Sequence, residues 1–187
     1  SYMDEPGLAW VRGVELMQTN YQCVIDNLLD LSHVHFAHAE VSMEDSFLSF
    51  ENKIEQEGDM VWSKLWRNDY APSDFQRRIW GSVSPRADGT GHVRWTSSAN
   101  FLVQTSVFER GATWNDGCRL FSSAFATPET ATTTHYIYAL SRSAATHDAE
   151  VQETHGFERN HLFSDRVEVT FFPDQHGAPN RVDCLAL

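Results

Sequence analysis

The chain has 187 residues, enough for one domain with a real hydrophobic core. With 41% hydrophobic and 12% aromatic residues, its composition is globular rather than disordered. A formal net charge of -12 argues against nucleic acid and against anionic membrane surfaces, which both select clustered Lys and Arg, and no apolar run is as long as a membrane span.

"LAWVRG" (8–13) reads as a short strand. Residues 21–38 lack Gly and Pro, are rich in Leu and read as a helix. "FLSFENKIEQ", "EGD" and "MVWSKLW" form a hairpin pattern, with Gly58 in the turn. "HVRWTS", "NFLVQTSVFER", "CRLFSSAFAT" and "TTTHYIYALS" continue as strands, punctuated by Pro85, Gly89, Gly91, Gly111, Gly117 and Pro128. Residues 148–164 read as a second helix. Strands that follow one another so closely imply an antiparallel meander, so the fold class is α+β: a curved antiparallel sheet with helices near each end of the sequence. The three cysteines, Cys23, Cys118 and Cys184, are far apart and form no C-x-x-C pair, which suggests neither a disulfide framework nor a structural zinc site. No signal peptide is visible, so the expected compartment is the cytoplasm.

"NLLDLSHVHFAHAE" (27–40) concentrates three histidines and two acids. Asp30, His33 and His38 form D-x-x-H-x-x-x-x-H. On a helix Asp30 and His33 share a face. His33 and His38, five apart, fall about 140° apart around a regular helix. Ligands on one metal must converge, at bonds near ~2.1 Å, so metal binding requires the helix to end or distort between them. The alternative is an amphipathic helix with unrelated histidines, and spacing alone leaves both readings open. His35 points elsewhere. Asn27, three before Asp30, is a candidate hydrogen-bonding partner or an ordinary polar residue. Two histidines and a carboxylate make the facial triad of a non-haem iron(II) oxygenase. Asp165, in "HLFSDRVEV", is a candidate third ligand or a surface acid.

At this point a family resemblance enters. "VIDNLLDLSHVHFAH" resembles the mononuclear-iron segment of the Rieske-type non-haem iron oxygenases, in the aromatic O-demethylase branch typified by vanillate O-demethylase and dicamba monooxygenase. "RW" (94–95), "TPETATTTHYIYALSR" (127–142) and "FSDRVEV" (163–169) are similar to later segments of that branch, in the right order. The resemblance implies a helix-grip, START-like cavity. It implies His33, His38 and Asp165 as ligands of a mononuclear Fe(II), and Asp30 as the acid that passes electrons between subunits. Asn27 would support them from behind. It also implies O2, a small aromatic substrate, a reductase or ferredoxin as electron donor, and a homotrimer. The family's [2Fe–2S] cluster needs C-x-H and C-x-x-H pairs. None occurs here, so the cluster is expected on a separate or missing Rieske domain, with residues 1–187 forming a single catalytic domain.

Candidate wall residues of the cavity are Trp95, Phe101, Val103, Phe121, Ala124 and Tyr138, all on predicted strands, although strand aromatics also fill ordinary cores. No Arg or Lys is obviously placed for a substrate carboxylate. Two functions follow. One is an oxygenase that demethylates or hydroxylates an aromatic compound. The other is a START-like module that binds an apolar ligand without turnover.

Overall fold

The computed structural model describes residues 5–31, 50–148, 167–171 and 182–186. Seven strands form one antiparallel sheet: β1 (Ala9–Met17), β2 (Phe50–Glu57), β3 (Met60–Tyr70), β4 (Ala87–Thr96), β5 (Asn100–Phe108), β6 (Cys118–Pro128) and β7 (Thr134–Arg142). Their order is β1-β7-β6-β5-β4-β3-β2, a meander closed on one side by β1. A separate pair, β8 (Val167–Phe171) and β9 (Val182–Ala186), is antiparallel. Two α-helices are described, α1 (Tyr21–Leu29) and α2 (Asp74–Trp80).

Period-two alternation sends successive side chains to opposite faces. Register carries one face across the sheet: Val61 pairs with Trp95, Trp95 with Phe101, Phe101 with Ala124, Ala124 with Tyr138 and Tyr138 with Gly13. This inner face is covered by α1, whose Val24 joins a buried cluster with Val93, Phe101, Ala124, Ala126, Tyr136 and Tyr138. Burying one such aromatic ring contributes roughly 1.5–3 kcal/mol. The outer face is polar in its β2–β4 half, where Glu55 pairs with Lys53 at 2.7 Å and with Lys64 at 2.5 Å. Hydrogen bonds from those two ammonium groups hold the exposed Glu55 carboxyl down to about 2.

The far end of the inner face is closed by α2. A β-bulge between Arg67 and Tyr70 inserts one residue. Strict alternation would turn Tyr70 outward; the bulge returns it inward, against Ile79, Ala87, Val107 and Cys118. The α2 helix was absent from the sequence reading, yet its signals are plain. Ser73 and Gln76 form a reciprocal capping box, and Gly81 ends the helix at φ 72°, a left-handed conformation that favours glycine.

The first expected helix is shorter than its sequence pattern. The helix expected over 21–38 ends at Leu29, and residues 32–49 lie outside the described residues. Asp30 still donates its N–H to the Asp26 carbonyl at 3.0 Å, but its ψ of 86° has left the helix. Asp and Ser side chains compete for nearby backbone groups, which makes D-L-S a natural place to stop. The helix expected over 148–164 lies outside the described residues apart from Asp148, which is not helical. Among the described residues no helix is long and apolar enough to cross a membrane. Cys118 is a free buried thiol, while Cys23 on α1 is disulfide-bonded, a crosslink that three scattered cysteines did not foretell.

Close packing at the β1–β7 boundary rests on Gly13. A Cβ there would stand 1.7 Å from the Tyr138 hydroxyl oxygen. At Gly91, on the same face, the nearest atoms would be 3.9 Å away. Gly13→Ala should therefore destabilise the fold by about 1–3 kcal/mol, as overpacking does, whereas Gly91→Ala should be neutral or slightly stabilising. Denaturant midpoints of the two variants check this, and equal midpoints would refute it.

Candidate functional site

The site is assembled around α1. Asn20 caps it: its Oδ1 accepts from the Gln22 N–H at 2.8 Å, while its Nδ2 donates to the Ala131 carbonyl at 2.9 Å. One side chain thus starts the helix and ties it to the β6–β7 turn. Beside it, the Thr134 hydroxyl donates to the Thr19 carbonyl at 2.8 Å. Tyr21, Val24, Ile25, Leu28 and Leu29 place an apolar stripe on the sheet, and Leu31, just past the helix, still packs on the same cluster. Asn27 is half-buried on α1, and Asp30 is exposed at its C-terminal end.

Of the expected ligands, His33, His38 and Asp165 lie outside the described residues. Among the described residues no group of three or more His, Cys, Asp or Glu could hold a metal. Asp30 has left the helix, and its relation to His33 lies outside the described residues.

Five of the six expected wall residues do share one face. Trp95, Phe101, Val103, Ala124 and Tyr138 all belong to the inner cluster beneath α1. Phe121 is the correction. It lies three residues from Ala124, pairs with Gln104 and Ser141, and points to the outer face. There its ring meets Trp114 edge-on at 6.0 Å, with the Arg119 guanidinium 5.8 Å from its centre. Its aromatic character suggested the pocket; strand parity decides otherwise.

Two inner-face groups escaped the sequence reading. Arg67 is partly buried at the α2 end, with its guanidinium 5.8 Å from the Tyr70 ring, and desolvation pulls its pKa down. Ser63 is fully buried beside Val93. Its hydroxyl and the Trp95 indole N–H are both buried without a hydrogen-bond partner. Such groups each cost about 1–3 kcal/mol. Alternation of Val61, Ser63, Leu65 and Arg67 against Met60, Trp62, Lys64 and Trp66 was the available signal. The Cys118 thiol is pushed up to about 11 by burial, which makes it an inert packing group rather than a nucleophile.

The family model for the vanillate O-demethylase oxygenase C-terminal domain matches residues 17–166. The chain belongs to that family. Among curated members of the wider group, the chloroacetanilide N-alkylformylase oxygenase component of Rhizorhabdus wittichii is 29% identical over 153 residues, covering 81% of this chain and 44% of that protein. The chain thus spans less than half the length of that relative. Dicamba monooxygenase bound to 3,6-dichlorosalicylic acid superposes with a TM-score of 0.79 at 21% identity, over 85% of this chain and 47% of that one. A dicamba monooxygenase structure with non-haem iron and dicamba gives 0.64 at 18% identity, over 94% of this chain and 54% of that one. These likenesses show that this chain shares its antiparallel seven-stranded fold with dicamba monooxygenase.

Asn20→Ala removes both the cap and the tether, and should cost about 1–2 kcal/mol in urea unfolding. Asn20→Asp keeps the cap but loses the Nδ2 donor, so its midpoint should fall between wild type and Asn20→Ala. A midpoint for Asn20→Ala equal to wild type would show that α1 is held by its apolar stripe alone.

Proposed function

We propose that this chain is the mononuclear-iron, substrate-binding part of a Rieske-type non-haem iron oxygenase. In this reading it oxidises a small aromatic compound with O2, by O-demethylation or hydroxylation. The observation that carries the proposal is the span of the family match: residues 17–166 include Asn27, Asp30, His33, His38 and Asp165 in one collinear stretch. The name of the relative from Rhizorhabdus adds removal of a group from nitrogen to the chemistry within reach.

The donor set fits iron. Two imidazoles and one carboxylate, His33, His38 and Asp165, are the ligand types of the facial triad, which leaves positions open. Bound there, iron(II) would supply the activation of O2. The chain's own residues supply the rest. Trp95, Phe101, Val103, Ala124 and Tyr138 offer an apolar face that holds an aromatic ring and excludes water, and α1 covers it. The ligand-bearing segment starts just after Leu31, which packs on this same face. Asp30 is the electron entry point, and its exposure at the end of α1 suits a carboxylate that meets a neighbouring subunit. Because the sequence holds no C-x-H or C-x-x-H pair, electrons come from a [2Fe–2S] cluster carried outside residues 1–187, fed by a reductase or ferredoxin. A homotrimer, in which one subunit's cluster serves the next, and a helix-grip, START-like cavity belong to the same reading.

Metal analysis tests the ligands. The wild-type chain should bind about one iron per chain, and His33→Ala, His38→Ala or Asp165→Ala should lose most of it. Asp30→Asn should keep its iron and lose turnover when a Rieske component and reductase are supplied. Loss of iron by Asp30→Asn to the same degree as His33→Ala would make Asp30 a ligand or a structural residue. Hydrogen peroxide supplies both the oxygen and the two electrons, so the iron-loaded chain should release formaldehyde from methoxylated aromatics when peroxide is added. Full iron loading and demonstrated ligand binding without formaldehyde would favour the non-catalytic binding module.

A further inference from the structure

The inner face beneath α1 carries two polar atoms with nothing to bond. The Trp95 indole N–H and the Ser63 hydroxyl are both buried and unpartnered. They are neighbours: Val61 pairs with Trp95 and Ser63 with Val93, so Ser63 and Trp95 are diagonal positions of β3 and β4 on the same face. Side chains so placed are about 7 Å apart or less, and one small functional group spans that distance. Buried polar groups in folded proteins are almost always paired, and one without a partner calls for an explanation.

Their surroundings narrow what the partner can be. The inner-face residues paired with or flanking them are Val61, Leu65, Val93, Phe101 and Val103. Among the described residues the inner face has two guanidinium groups. Arg142 donates to the carbonyls of Ala145 and Asp148. Arg67 lies four residues beyond Ser63, about 13 Å along β3, over the Tyr70 ring. Among the described residues, then, no protein cation stands beside Trp95, and an anion there would be costly to bury. A neutral oxygen has no such penalty. Tryptophan can only donate, whereas serine can donate or accept.

We propose that Trp95 and Ser63 form the polar anchor of the substrate, and that this anchor selects an uncharged aromatic compound bearing a carbonyl or similar neutral oxygen over the corresponding aromatic acid. The inference rests on the reading that the inner face holds the substrate. Trp95 donates to the ligand oxygen, Ser63 bonds the same group from the adjacent strand, and the apolar residues around them hold the ring.

The test is calorimetric binding of 3-methoxybenzamide and 3-methoxybenzoate to the anaerobic, iron(II)-loaded chain. The two probes match in shape and differ in charge. The amide should bind at least tenfold more tightly than the acid at neutral pH. Trp95→Phe and Ser63→Ala should each weaken amide binding about three- to tenfold and narrow the amide-to-acid ratio, which general damage to packing would not do. Ligand-free Ser63→Ala should melt at or above the wild-type temperature, because the change removes an unsatisfied buried hydroxyl. Equal affinity for amide and acid, an unchanged ratio in both variants, or no binding of the amide would each overturn the proposal. Formaldehyde release is a separate readout: Trp95-dependent amide binding without turnover would keep this anchor and sink the oxygenase reading.

Discussion

Strand alternation, carried in register from β1 through β7 to the inner half of β3, is the constraint on which everything else depends. A slip of one residue between any two strands would exchange the two faces beyond it. Tyr138, Ala124, Phe101 and Trp95 would then face outward, and α1 would meet Ile137, Phe125, Leu102 and Arg94 instead. The apolar stripe of α1 lies on the face that carries Tyr138, Ala124, Phe101 and Trp95. That placement also decides where the chain leaves the helix, at Asp30, and hence where the histidine segment begins.

The two ends of the inner face do different work. At the α2 end the bulge, Tyr70, Ile79 and Cys118 close a core with no group suited to chemistry, and burial keeps both the Tyr70 hydroxyl and the Cys118 thiol protonated, at about 12 and about 11. At the α1 end packing is equally apolar but leaves two polar atoms unmatched.

Much of the sheet was legible because hairpins announce themselves locally. Gly58 between two alternating runs, and the Gly- and Pro-marked breaks before β4, β6 and β7, set the strand limits to within a few residues. Helix α2 escaped because it is seven residues long, too short for a periodic pattern to register, although its caps were in view. The early end of α1 escaped because Leu28 and Leu29 continue a helical pattern that Asp30 interrupts only through its side chain. In the site, aromatic identity was an adequate guide for Trp95, Phe101 and Tyr138, but parity decides Phe121, and parity depends on register. Ser63 was invisible for another reason. A serine in a strand carries no signal until its neighbours are known to leave it without a partner.

Two tyrosines of this sheet are seated in the same way. The Tyr138 ring lies where a side chain on Gly13 would be, and the Tyr70 ring lies where one on Gly89 would be, with the Tyr70 hydroxyl oxygen 2.9 Å from the missing Cβ. Each aromatic ring fills a gap that a glycine on another strand leaves open, and covers backbone that the glycine leaves bare. Seen over generations of descent, these four positions are not four independent letters. A lineage that gives residue 13 a methyl group must surrender the ring at 138, whereas the Ser106 carbonyl oxygen, 2.8 Å from the missing Cβ, holds residue 89 to glycine even if the ring at 70 is lost. Inheritance should treat residues 13 and 138 as a linked pair at the helix-covered end, while residue 89 at the closed end is fixed by backbone and residue 70 can change without it.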